Sequence, residues 1–344
     1  MTVVAAFKYL ETPVLFGDFM ISVNGSRSGL RRKLFKFSDN FVAGWTGSMV
    51  SAATVFSDLY ERFGNTTPTF VDLQNFLSTH TFATSPALEL AVIGWLVDSS
   101  PHCFCWWNNY PTIVHENVNY FFGSGGSSVQ RLVEKPGHEW VVGLEDERSQ
   151  VDLATYFTVN VAGRLLADEL FEQENQKNLF GVAYEALVYD GAFNYIDDVL
   201  YTFCDYSTAD IQRVVNPNYF KLNHLGEVAA VQQTNVVKDA TGIDLITPVF
   251  DLPAAQNEVS KFTKFIKDTR RTKPFSVTSR YYCIAYRLSE GEGSVFPGAV
   301  VSREAGLNQP ITVKRLDNER EELTIKITQL HQLITAHRAI NSPF

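Results

Sequence analysis

The hydrophobic period of this chain changes twice between residues 3 and 108, and that change constrains its fold more than any single motif. The apolar run Val3–Phe7, a turn near Glu11-Thr12-Pro13 and the run Val14–Asp18 predict a hairpin. After a Gly/Ser-rich loop at Asn24–Gly29, Lys33–Phe37 and Phe41–Trp45 predict a second hairpin around Ser38-Asp39-Asn40, ending in Thr46-Gly47-Ser48. The period then turns helical. Met49, Ala52, Ala53, Phe56, Leu59, Tyr60 and Phe63 share a face, and Gly64 is the stop. A second helix is predicted from Pro68 to His80.

Strands return at Leu88–Val97, Cys103–Asn108 and Thr112–His115. Asn119–Phe122 leads through Gly123-Ser124-Gly125-Gly126 into a helix at Ser127–Glu134. A long helix from Val151 to Asn175 and strands at Leu179–Val188 and Ala192–Phe203 follow. Strands grouped on either side of a helix pair predict an α+β chain, with two antiparallel sheets packed together and helices outside them. A doubly wound βαβ chain would alternate instead.

Residues 204–344 have another character. Strands are expected at Phe220–Gln232, Ile246–Leu252, Ser276–Leu288 and Ile311–Arg315, and helices at Asn257–Lys267 and Glu322–Ile340. The charge divides at the same place. Residues 1–203 carry 12 basic and 23 acidic side chains, net −11, whereas residues 204–344 carry 17 and 15, net +2. The expected organisation is therefore a unit of residues 1–203 followed by a C-terminal α+β extension, 204–344. An acidic first unit has no electrostatic attraction for a phosphate backbone, which argues against a nucleic-acid partner.

No apolar run approaches the ~18 residues of a membrane-spanning helix, and the apolar start stops at Lys8, so no membrane partner or signal peptide is expected. Cys103 and Cys105 lie two apart on a predicted strand, and with Cys204 and Cys283 they make no disulfide framework. Buried, reduced thiols and a cytoplasmic location are expected. The seven histidines are scattered and make no metal-ligand spacing, so neither a metal nor a cofactor is expected. Gly123–Gly126 lacks the Lys-[Ser/Thr] of a P-loop and the third glycine of a dinucleotide fingerprint.

Five separated features then fall into one order. Thr2-Val3-Val4-Ala5 follows Met1, Gly17-Asp18 ends the second strand, and Lys33 opens the third. Trp45-Thr46-Gly47-Ser48 precedes one helix and Gly123-Ser124-Gly125-Gly126 another. In this, residues 1–200 resemble proteasome β-type subunits, and within that family the bacterial HslV peptidase. The resemblance implies a four-layer αββα N-terminal-nucleophile hydrolase sandwich acting as a threonine endopeptidase.

The chemistry fits that set. A threonine hydroxyl needs a base to become a nucleophile. Once Met1 is removed, the α-amine of Thr2, with an ordinary pKa of about 7.7–8.0, lies on the same residue. The resemblance assigns Lys33 to lower the proton affinity of amine and hydroxyl, and Asp18 to hold Lys33 charged. It assigns the Gly47 N–H to the oxyanion, and Ser124 to orient the amine. An extended peptide is expected between Phe19–Ser22, with Met20 and Ser22 in contact, and Gly47–Met49, with Ser48 and Met49 in contact. Trp45 is expected to wall the primary side-chain pocket.

Arg32 remains the alternative to Lys33, because the loop from Asp18 is about one residue shorter than the family norm. The supporting Asp-x-x-Ser of many β subunits is absent near Leu179–Tyr189, where Glu185 is the nearby carboxylate. By resemblance, homo-oligomeric rings, peptide or unfolded-protein substrates and an AAA+ unfoldase are expected. A catalytically inactive proteasome-like scaffold and a small-amide N-terminal-nucleophile amidase are the alternatives.

Overall fold

The structure is a computed structural model that describes residues 2–23, 26–64, 66–110, 115–116, 118–134, 140–142, 150–171, 181, 183–204, 213–215, 218–235, 240–269, 278–288, 298–302, 310–315 and 321–341. The chain is a mixed α+β protein with several antiparallel sheets. Its first three hairpins are β1 (Val4–Tyr9) with β2 (Thr12–Asp18), β3 (Met20–Val23) with β4 (Ser26–Leu30), and β5 (Leu34–Ser38) with β6 (Phe41–Gly47). Helices α1 (Met49–Phe63) and α2 (Phe70–Thr79) follow, then β7 (Leu90–Val97), β8 (Pro101–Trp107), β9 (His115–Glu116) and β10 (Tyr120–Phe122). Next come α3 (Gly126–Glu134), β11 (Trp140–Val142), α4 (Gln150–Phe171), β12 (Tyr184–Tyr189), β13 (Phe193–Tyr195) and β14 (Val199–Cys204). The remainder holds β15 (Arg213–Val215), β16 (Asn218–Leu225), β17 (Val228–Asn235), β18 (Ala240–Ile246) and α5 (Pro253–Thr269). It ends with β19 (Tyr281–Tyr286), β20 (Gly298–Ser302), β21 (Ile311–Arg315), β22 (Glu321–Ile325) and α6 (Thr328–Asn341).

The apolar runs of the first hairpin bury both of its faces. One five-stranded antiparallel sheet runs β10-β1-β2-β12-β13, and another β5-β6-β7-β8-β9. On the first, Ala5, Phe7, Val14 and Phe16 face Val129 of α3 and Ala154, Phe157 and Leu165 of α4. Their neighbours Val4, Ala6 and Leu15 face the second sheet, meeting Leu34, Val42, Ile93 and Trp95. The Trp95 indole N–H donates to the Val14 carbonyl at 2.9 Å, tying the sheets together. The far side of the second sheet, with Phe35, Phe41, Trp45 and Val92, packs on Phe56 and Leu59 of α1 and Leu73 and Leu77 of α2. Burying such side chains contributes about 1.5–3 kcal/mol each.

Both helices on that side start on a side-chain cap. Ser48 accepts from the Ser51 N–H, and Thr69 and Asp72 form a capping box. Gly64 closes α1, as its position predicts.

The expected division at residues 203/204 falls inside a hydrogen-bonded layer. β14 pairs antiparallel with β16 and parallel with β19, as the fourth strand of a seven-stranded sheet ordered β11-β20-β19-β14-β16-β17-β18. Its far edge, β11, also comes from the first 203 residues. Helix α4 packs against this sheet through Cys283, Ala285 and Val300 as well as against the first sheet. Contact on two sides explains why Ala, Val and Leu recur around α4 without a clean polar stripe. The sequence boundary is a change of composition and charge, and no boundary between sheets coincides with it.

The strand expected at Ile246–Leu252 ends at Ile246 as the last residue of β18, and Ser26–Gly29 of the expected loop belongs to β4. Three further elements differ from expectation for local reasons. Ala192–Phe203 is two strands because Asp198 takes a left-handed φ of +54°. Phe220–Gln232 lies in a hairpin turning at Gly226, φ +58°. The expected helix at Glu322–Ile340 begins as β22, where Leu323 and Ile325 are buried in a cluster with Ile311, and only then becomes α6. Residues 111–114 and 172–180, in the predicted elements Thr112–His115, Val151–Asn175 and Leu179–Val188, lie outside the described residues.

Candidate active site

Strand pairing brings Thr2 to Asp18. β1 and β2 register Val4 against Gly17, so the residue before Val4 meets the end of β2, and the Asp18 N–H donates to the Val3 carbonyl at 3.1 Å. The Asp18 carboxylate then reaches back along the chain. Its Oδ1 accepts from the Val3 N–H at 2.8 Å and from Thr2 Oγ1 at 3.0 Å. Lys33, just before β5, donates from Nζ to the same Oδ1 at 2.5 Å and to the Met20 carbonyl at 2.5 Å. Oδ2 accepts from the Gly181 N–H at 3.0 Å. Three residues read separately from the sequence thus meet on one oxygen.

The cluster is dry. Thr2 is 5% exposed, Asp18 0% and Lys33 1%. Burial pushes the Lys33 ammonium below its ordinary pKa of 10.5, while Asp18 and Glu185 pull it back up. A buried cation and anion of this kind hold each other by geometry, and losing either partner leaves an uncompensated charge.

The loops supply backbone. Gly47 ends β6 with φ +104°, and a Cβ there would stand 2.3 Å from the Glu89 carbonyl oxygen, so only glycine fits. Gly123 has φ +86°, and a Cβ there would stand 1.8 Å from the Thr2 carbonyl oxygen. The Gly125 N–H points at that same oxygen at 3.5 Å. Ser124 sits between these two contacts and is exposed.

The remaining expected site residues fall in three settings. Met20 is buried and contributes its carbonyl to Lys33. Ser22 lies half-buried on β3, opposite Arg27. Ser48 caps α1, and Met49, its first residue, is 40% exposed. Trp45 lies deep on β6. Its ring is 2% exposed in the cluster beneath α1 and α2, and its indole N–H donates to the Arg32 carbonyl at 3.3 Å. It belongs to the core that β6 shares with α1 and α2.

Sequence reasoning missed the role of Arg32 and Glu185. The two are fully buried and paired, with Arg32 Nε 3.0 Å from Glu185 Oε2. Burial opposes the charge on each. Glu185 and Tyr195 nevertheless hold the Arg32 guanidinium above its ordinary pKa, and Arg32 with His224 holds the Glu185 carboxyl below its own. The signal was present, since Glu185 was the nearby carboxylate and Arg32 the rival of Lys33. What was missing was that β12 sets Glu185 beside Gly17 and Tyr184 beside Asp18.

Among the described residues, no group of three or more His, Cys, Asp or Glu side chains is placed to hold a metal ion. All four cysteines are buried and free, and no helix of the described residues is long and apolar enough to cross a membrane. The sequence matches no protein-family model and no curated protein.

Proposed function

We propose that the chain is a threonine-type peptidase that uses Thr2, freed of Met1, as its nucleophile. One observation carries the reading: Thr2 Oγ1 and Lys33 Nζ converge on Asp18 Oδ1 in a site shielded from water. The layer order supports a four-layer αββα N-terminal-nucleophile sandwich, with α3 and α4 outside one sheet and α1 and α2 outside the other.

The α-amine of Thr2 takes the hydroxyl proton as Oγ1 attacks the scissile carbonyl. Lys33 keeps the local potential positive, which favours a neutral amine and stabilises the alkoxide as it forms. The oxyanion develops toward the N–H of Gly47, a donor worth about 2.7–4 kcal/mol in comparable sites. Collapse transfers the proton to the leaving amine and leaves an acyl ester on Thr2, which water cleaves by the reverse path. The peptide lies extended along β3, which pairs only with β4 among the described residues and so keeps an edge free. Ser124 orients the amine. Rings of identical subunits fed by an AAA+ unfoldase in the cytoplasm complete the reading.

Intact mass with and without a peptide epoxyketone tests it. The expected result is loss of one methionine and an adduct on Thr2, with Thr2→Ala taking none. Retention of Met1 in the native host sinks the mechanism, because no free Thr2 amine would exist. The inactive scaffold draws on the near-complete burial of Thr2 and expects no adduct.

A further inference from the structure

Lys33 is aimed by its neighbours as much as by Asp18. The backbone of residues 32–34 is held at five points, one of them the Tyr195 hydroxyl, which donates to the Leu34 carbonyl at 3.5 Å. The Arg32 N–H donates to the Thr247 carbonyl at 3.0 Å, and the Leu34 N–H to Glu185 Oε1 at 3.3 Å. Trp45 donates from its backbone to the Lys33 carbonyl at 3.2 Å and from its indole to the Arg32 carbonyl. The Arg32 side chain leaves in the other direction. Its Nε meets Glu185 Oε2, and its Cζ lies 4.1 Å from the centre of the Tyr195 ring.

The outer end of this chain of contacts is His224 on β16. Its Nε2 stands 3.4 Å from Glu185 Oε2, its Nδ1 3.4 Å from Asp197 Oδ1, and its ring stacks on Tyr195 at 4.7 Å. The His224 side chain is 6% exposed, and those of Arg32 and Glu185 are 0%. Glu227, in the β16–β17 turn, adds negative charge facing Arg32.

We propose that Arg32, Glu185 and His224 form a positioning relay that fixes the register of residues 31–34, making residues 218–247 a working part of the threonine site. This rests on the function proposed above. The physical case is one of alternation. Neighbouring residues in extended chain point to opposite sides, so a slip of one would present Arg32 or Leu34 to Asp18 in place of Lys33. Arg32 fastened to Glu185 excludes that slip, and setting register is the best-attested use of a buried ion pair. Glu185 takes two donors from residues 32–34, and His224 braces it from the far side. The three are positioning residues, since none touches Thr2.

Three full-length variants test the relay: His224→Leu, His224→Asn, whose shorter amide falls short of Glu185, and His224→Gln, which reaches it. Two readouts are taken on each folded protein. One is the Lys33 Nζ resonance in 15N-lysine spectra. The other is the rate of Thr2 modification by a peptide epoxyketone.

Leu and Asn should move the lysine resonance and slow modification about 10–100-fold, the scale of a displacement of about 1 Å at a reacting centre. Gln should restore most of both. If His224→Leu does not fold, His224→Asn carries the comparison. An unmoved lysine resonance in either folded variant overturns the relay, as does an equal loss in the Gln variant. A wild-type chain that takes no epoxyketone overturns the threonine reading, while the lysine resonance still decides the relay.

Discussion

At the scale of single residues, Asp18 organises the site. A carboxylate offers about four lone-pair positions. Asp18 takes four donors, three on Oδ1 (the Val3 N–H, Thr2 Oγ1 and Lys33 Nζ) and the Gly181 N–H on Oδ2. Asp18→Asn puts N–H groups where donors already converge and strands a buried ammonium, so it should cost about 3–5 kcal/mol. Urea unfolding measures this, and a loss below about 1 kcal/mol, the worth of an exposed pair, would contradict the geometry. Glu185 should contribute to the acid limb of stability. Burial works against its charge, but Arg32 and His224 hold its pKa below the ordinary 4.5. As pH falls, the unfolded chain takes up the proton first. Stability from this group is therefore complete above about 4.5, and is lost as pH drops through the lower folded-state value. Urea midpoints between pH 7 and pH 3 should fall along that limb, and Glu185→Gln should make the fall shallower.

At the scale of elements, the β1–β2 turn shows local propensity overruled. Tyr9 pairs with Thr12, so Leu10 and Glu11 form the whole turn, with φ of +46° and +67°. A two-residue turn with both φ positive favours Asn-Gly, and neither native residue suits it. The double variant Leu10→Asn/Glu11→Gly should raise stability by about 0.5–2 kcal/mol in thermal unfolding, with the Lys8–Glu11 surface pair too exposed to offset it. Sequence reasoning placed this turn one to two residues late because Pro13 looked like the breaker, while the structure uses Pro13 inside β2, opposite Lys8. The helices α1 and α2 were legible because one face of each is buried, and the strands β1, β2, β5 and β6 because short apolar runs buried between layers are bounded by turn residues. The short strands β11, β15, β20 and β22 were not, because distant partners select them and their own pattern is too brief. The Thr2, Asp18 and Lys33 set was read through the resemblance to proteasome β-type subunits. Of the Arg32, Glu185 and His224 cluster, Arg32 and Glu185 were noticed singly, but contacts that span 192 residues gave no local sign that the three meet.

At the scale of the whole molecule, residues 204–344 complete layers that the first 203 begin. Phe250 packs edge-on to Phe35 at 4.9 Å, and Val228, Leu252 and Ala255 join the cluster beneath α1 and α2. Truncation after residue 203 strips both neighbours from β14 and opens the clusters around α4 and Phe35. The shortened chain should be insoluble, or expand and lose cooperative unfolding, as judged by size-exclusion chromatography and circular dichroism. A compact, cooperatively unfolding fragment would show that the first unit stands alone. The parallel pairing of β11 with β20 also sets a timetable. Trp140–Val142 leaves the ribosome some 150 residues before Gly298–Val300, its partner, exists. At about 5–20 residues per second that interval is roughly 8–30 s, during which the growing chain carries an apolar strand with nothing to pair it. Protease resistance around Trp140 in pulse-labelled chains should therefore appear only after residue 300 has been translated, so birth order, as much as stability, decides when this molecule becomes whole.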